Sequence, residues 1–207
     1  MKRVFVGIPI AKELGEEVLR WRNITPLPPL PRLRRTSNPP LARGEINKNS
    51  PPYEGGDRGG LRWLSPKNLH VTLVPPWYQD DIQDVIDRLQ KVHGQPFAIS
   101  FNQITFGPNP KAPRLIWAKG KASAELSDLK LSVEQILNTA INDGRHLLQY
   151  QPHITLARFR AEDFGKFKAR HLDEKISWHQ KVESFALYES HLSPQGADYE
   201  ILAEFKL

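Results

Sequence analysis

The sequence predicts an α+β fold in which helices pack on sheets rich in antiparallel strands. Three observations carry this. Short apolar runs of period two recur along the chain, amphipathic stripes of period 3.6 separate them, and one pair of runs is joined by a tight turn. At 207 residues with 39% hydrophobic positions, the chain can bury one sizeable core and is short for two. One domain over residues 1–207 is therefore expected.

Val4, Val6, Ile8 and Ile10 occupy every second position and read as an opening strand. Leu14, Val18 and Trp21 then fall on one helical face. The stripe Ile82, Val85, Ile86, Leu89 and Val92 describes a helix over Asp81 to Val92, with acids at the end where the helix dipole favours them. Phe97 to Phe106 alternates Phe97, Ile99 and Phe101 with polar neighbours. Arg114 to Lys119 is its expected hairpin partner across Gly107-Pro108-Asn109-Pro110. Ser123 is placed to cap a helix with the stripe Leu126, Leu129, Val133, Ile136, Leu137 and Ile141, which Gly144 stops. Strands are expected at His153 to Ala157, Val182 to Ser190 and Tyr199 to Phe205, with a short helix near Asp163 to Arg170.

Residues 24–60 break the pattern. They hold 8 of the 18 prolines and 5 of the 13 glycines, and neither period survives there. Such a segment cannot bury enough apolar surface to offset chain entropy, so it reads as a disordered or surface insertion. Its six Lys/Arg against three acids supply about half of the +6 net charge, a mild excess that suits a polyanion without requiring one. No apolar run approaches the roughly 18–20 residues of a membrane helix. Lys12, Glu13, Glu16 and Glu17 directly after the first strand argue against a secretory leader. With no cysteine, a disulfide framework, a thiolate zinc site and a cysteine nucleophile are excluded. A cytoplasmic protein is expected.

Two segments repeat each other: His70-Val71-Thr72-Leu73 and His153-Ile154-Thr155-Leu156. With 7 His and 6 Thr in the chain, chance supplies about 0.2 His-x-Thr triplets, so two with matching flanks are informative. In a strand, residues two apart share a face. Each segment then offers imidazole and hydroxyl on one face and buries its apolar pair on the other. If the two strands meet, two imidazoles and two hydroxyls converge. Imidazoles of pKa near 6.5 suit general acid–base catalysis, and hydroxyls can donate to phosphate oxygens. No Asp/Glu/His set has metal-ligand spacing, so neither a metal nor a cofactor is expected. The kit fits phosphoryl transfer on a phosphodiester with a sugar-oxygen leaving group. Nothing in the residues alone brings the strands together or says which histidine is acid and which base. The five other histidines have no such partner and read as surface or incidental, His191 being the one most worth locating.

These motifs resemble the twin His-x-Thr-x signatures of the 2H phosphoesterase superfamily, and the chain is most similar to its LigT-type RNA 2′,3′-cyclic phosphodiesterases. Val4-Phe5-Val6-Gly7-Ile8-Pro9, Trp63-Leu64-Ser65-Pro66-Lys67-Asn68-Leu69, Tyr150-Gln151-Pro152, Ala157-Arg158 and the tail from Leu187 through Phe205 extend the similarity over nearly the whole chain except 24–60. The resemblance implies a two-lobed, pseudo-twofold fold in which each lobe gives one motif to a shared groove. It implies opening of RNA 2′,3′-cyclic phosphates to 2′-phosphomonoesters, with His153 activating water, His70 protonating the departing 3′ oxygen, and Thr72 and Thr155 holding phosphate oxygens. The expected partners are RNA ends or nucleotide 2′,3′-cyclic phosphates, met by a monomer. Relatives acting on small cyclic nucleotides or on 2′,5′ linkages in tRNA halves, and a non-catalytic RNA-binding module, are the alternatives.

Four positions carry separate expectations. Pro75 and Pro76 should end the first motif's strand early. Arg158 is a candidate phosphate ligand, although strict alternation puts it on the face of Ile154 and Leu156 unless a bulge intervenes. Tyr150 is a candidate for stacking on a base, whereas Trp117 and Phe106 are expected in the core.

Overall fold

The computed structural model describes residues 1–24, 61–109, 111–138, 150–167, 171–193 and 196–207. Along them run β1 (Lys2–Pro9), α1 (Lys12–Ile24), β2 (Arg62–Trp63), a 3-10 turn (Pro66–Asn68), β3 (His70–Gln79), α2 (Ile82–Leu89), β4 (Phe97–Gly107), β5 (Leu115–Gly120) and α3 (Ala124–Ile136). There follow β6 (His153–Arg158), a 3-10 segment (Ala161–Lys166), β7 (Asp173–Val182), β8 (Ser184–Ser193) and β9 (Gly196–Lys206). Residues 25–60 of the expected insertion, and Ile141 and Gly144 of the expected helix end, lie outside the described residues.

The strands form one antiparallel sheet of order β7-β4-β5-β6-β3-β1-β8-β9, with β2 added to β6. It has two halves. β1, β3, β8 and β9 make one, β4 to β7 with β2 make the other, and they join through a single rung, Val71 opposite Ile154. Apart from β2, the second half is contiguous in sequence, and the first residue of β4, Phe97, lies opposite the last of β7, Val182.

Alternate strand residues and the three helices share one core. Val4, Val6, Ile8, Val71, Ile116, Ala118 and Ile154 from the sheet pack with Leu14, Val18, Val85, Leu89, Leu126 and Val133 from the helices. A smaller cluster of Phe5, Ala186 and Tyr188 lies apart from that core. Phe5 and Tyr188 sit opposite each other on β1 and β8 and stack at 4.7 Å between centroids, worth about 0.5–1.5 kcal/mol beyond burial. The expected cap at Ser123 is present, and Asp81 caps α2 in the same way. Asp81 accepts from the Asp84 amide at 3.0 Å and Ser123 from the Leu126 amide at 3.2 Å, each contributing about 1 kcal/mol. α3 stops earlier than its apolar stripe suggests, at Ile136, and Asn138 follows with φ 54°, a left-handed turn that Asn tolerates.

Three elements differ from the expectation. The prolines do not end the strand: β3 continues to Gln79, because Pro75 and Pro76 fall in a register shift between Val4–Trp77 and Val6–Val74, where ladder donors are dispensable. The run expected over Val182 to Ser190 is two strands, β7 ending at Val182 and β8 starting at Ser184. β7 itself was not expected, since Gln180 occupies one of its inward positions. The buried Gln180 side chain accepts from the Ala11 amide at 2.9 Å and donates to the Pro9 carbonyl at 3.0 Å, tying β7 to the turn between β1 and α1.

Candidate active site

The rung between Val71 and Ile154 fixes the site. Both side chains are fully buried in the core, so their strand neighbours face the other way. Antiparallel register then sets His70 beside Thr155 and Thr72 beside His153, a two-by-two array with the imidazoles on one diagonal and the hydroxyls on the other. The two motifs, 83 positions apart in the chain, thus meet on one face.

Each ring is oriented in the same way. His70 Nδ1 lies 2.8 Å from the Asn68 carbonyl, and His153 Nδ1 lies 2.9 Å from the Gln151 carbonyl. A carbonyl can only accept, so Nδ1 carries hydrogen in both, leaving Nε2 of each neutral ring as the free acceptor. Asn68 is itself fixed: its amide donates to the Ala197 carbonyl and accepts from the Tyr199 amide, both at 3.2 Å. His70 also packs on Phe5 at 4.7 Å and edge-on to Tyr199 at 5.0 Å. Gly7, opposite Thr72, makes room for it, since a Cβ there would lie 2.9 Å from the Val71 carbonyl oxygen and 3.5 Å from His70 Cδ2.

Burial disfavours the charged form of both rings. It draws the His70 pKa down from 6.5 to about 4, with smaller contributions from the charges of Arg158 and His153 opposing the favourable Asn68 carbonyl. His153 is lowered for the same first reason, and Arg158 adds to it against the Gln151 carbonyl. Both are therefore neutral near pH 7 in the free protein.

The same interactions locate Arg158, which acts on both histidines. Strict alternation is broken in β6: Trp117 pairs with Thr155 and Ile116 with Ala157, so Leu156 is an extra residue. Leu156 and Ala157 are both buried, and the bulge returns Arg158 to the side of the histidines.

The other aromatic expectations divide. Phe106 is in the core, among Phe159, Phe164 and Phe167. Trp117 is not: it is half-buried, opposite Thr155, and its ring centroid lies 4.6 Å from that of His153. The alternation of Ile116 and Ala118 around it is the signal that could have found this. Tyr150 packs against the core, with its hydroxyl donating to the Thr72 carbonyl at 2.8 Å and its ring 5.0 Å from the Lys130 ammonium. His191 lies away from this array, exposed, with Nε2 3.1 Å from Glu200 Oε2.

Comparison with known proteins agrees with the geometry. Residues 57–194 match the model of the 2′-5′ RNA ligase superfamily. The chain belongs to that superfamily. An RNA 2′,3′-cyclic phosphodiesterase of Archaeoglobus fulgidus is 30% identical over 155 residues, covering 71% of this chain and 84% of its own length. A protein of the same name from Aquifex aeolicus is 26% identical, covering 70% and 81%. Among solved structures, a protein of Thermus thermophilus superposes with a TM-score of 0.66 at 20% identity, over 99% of this chain and 97% of that one. The apo form of E. coli LigT gives 0.63 at 19%, over 100% and 97%. This superfamily member has their α+β fold. No helix among its described residues is long and apolar enough to cross a membrane.

Proposed function

We propose that this protein is an RNA 2′,3′-cyclic phosphodiesterase that hydrolyses the cyclic ends to 2′-phosphomonoesters with the twin motifs and no metal. The observation that carries the reading is the rung between Val71 and Ile154, which sets His70 and His153 on one diagonal. Displacement at phosphorus runs in line, with attacking and leaving oxygens on opposite sides. Neutral His153 takes a proton at Nε2 from the attacking water. The bond from phosphorus to the 3′ oxygen breaks, and His70, protonated at Nε2, gives its proton to that oxygen. Thr72 and Thr155 donate to the non-bridging oxygens, and Arg158 supplies positive charge. The cyclic phosphate anion favours the imidazolium that burial disfavours, so the acid gains its proton when substrate arrives.

Sequence relatives named RNA 2′,3′-cyclic phosphodiesterase support the substrate class, as does the LigT structure complexed with 3′-AMP. Both motifs come from one chain, so a monomer suffices. The absence of cysteine suits a reducing cytoplasm.

The test is turnover of an RNA ending in a 2′,3′-cyclic phosphate, in EDTA, with the product's phosphate position read by chromatography. A 2′-phosphate is expected, and His70→Ala and His153→Ala should each slow the reaction by about 10² or more. No turnover together with tight oligonucleotide binding would make the protein a binding module instead.

A further inference from the structure

Behind the first motif lies a buried ionic group that the chemistry above does not use. Lys130 and Glu134, one turn apart on α3, are 4% and 8% exposed and form an ion pair. The same ammonium donates to the Leu73 carbonyl at 2.9 Å and lies over the Tyr150 ring, whose hydroxyl donates to the Thr72 carbonyl. Burying two charges costs several kcal/mol per ion, and apolar replacements of a buried pair are often neutral or stabilising. Packing alone therefore gives no reason for charge at these two positions, which sit among Leu126, Leu129 and Val133.

The topology gives a reason. β3 and β6 are paired only at the rung of Val71 and Ile154. Thr155 is flanked across its ladder by Trp117 of β5 and Thr72 by Gly7 of β1, so each threonine has one strand neighbour besides the other motif. Thr72 is the first residue of β3 beyond the rung. The carbonyls of Thr72 and Leu73, next along β3, are held by the Tyr150 hydroxyl and the Lys130 ammonium. We propose that Tyr150, Lys130 and Glu134 are positioning residues that hold the Thr72 main chain so its hydroxyl meets the phosphate. The inference rests on the activity proposed above. Tyr150 stays a donor at any working pH, since burial and then Glu134 push its ionisation well above the ordinary tyrosine value. A misplacement of about 1 Å can cost about 10² in rate, so support of this kind is felt in kcat.

The test is a double-mutant cycle on a 2′,3′-cyclic nucleotide with Tyr150→Phe, Thr72→Ala and their combination, because Tyr150→Phe removes one hydroxyl and keeps the ring. Tyr150→Phe alone should lower kcat about tenfold with little change in KM, and should cost almost nothing further once Thr72 is alanine. A loss below about threefold in the wild type, or one that shrinks by less than about threefold in the Thr72→Ala background, would overturn the proposal. The pair Lys130→Met/Glu134→Leu, apolar and of similar volume, should keep the melting temperature and still lower kcat. Unchanged kcat in that variant removes the ion pair from the positioning group. If the wild type does not turn over, the proposed activity fails on its own. The same cycle is then read in the dissociation constant of inorganic phosphate, where additive losses overturn the positioning role and non-additive ones support it.

Discussion

Raising the pH should switch this enzyme off earlier than two ordinary histidines would allow. In the free protein His70 is held to a pKa of about 4 and His153 below 6.5, burial being the first cause for both. At pH 7 a group of pKa about 4 is protonated in about one molecule in a thousand. Whichever ring is the acid, the reactive state carries one proton on the pair. Its population falls tenfold per pH unit once the upper of the pair's two ionisations is passed, and that ionisation lies below 6.5. The measurement is kcat/KM on a 2′,3′-cyclic nucleotide from pH 4 to 9, which reports the free enzyme. It should peak between the two ionisations and lose about 100-fold between pH 6.5 and 8.5. The kcat profile should sit at higher pH, because bound phosphate favours the imidazolium. A kcat/KM that is level or rising between pH 6.5 and 8.5 would refute the reasoning. So would an NMR titration in which the His70 ring protonates with a midpoint of 6 or above.

The same burial makes a stability prediction of fixed sign. A histidine whose folded pKa lies below its unfolded one contributes nothing to acid lability above pH 6.5 and loses stability as pH falls from there toward 4. The loss reaches about 3 kcal/mol near pH 4, so chemical denaturation at pH 7 and 4.5 should show less acid sensitivity in His70→Phe than in the wild type. Gly7→Ala should lower both melting temperature and activity, because the new methyl meets the Val71 carbonyl oxygen at 2.9 Å with β3 unable to move away from β6. Activity and melting temperature within error of wild type would show that β1 yields instead. Replacing residues 25–60 by a Gly/Ser linker of about ten residues should leave stability within about 1 kcal/mol, since closure entropy depends only weakly on length; a larger fall would reveal structure in that segment.

The sequence carried local features well and distant ones poorly, and particular residues show why. Ser123 was identifiable as a cap because a cap and its helix are a few residues apart. His70 and His153 were recognisable because their motifs repeat. Their meeting was not, since one long-range rung creates it. Arg158 could not be oriented, as the bulge at Leu156 depends on the register with β5. β7 was missed because a buried glutamine interrupts its apolar alternation and is satisfied by residues 169 and 171 positions away. Lys130 and Glu134 carry no sequence signal, because their partners, the Leu73 carbonyl and the Tyr150 ring, come from distant parts of the chain.

Phe97 and Val182, side by side on one rung, make β4 to β7 a closed excursion: the chain leaves its course and returns to the same point. These four strands could be exchanged there for a relative's without rerouting the others, β2 alone having to pair anew with the incoming β6. Such a graft would carry one histidine and leave the other behind, so a chimera joined at this place recovers turnover only when its seam regains the rung at Val71.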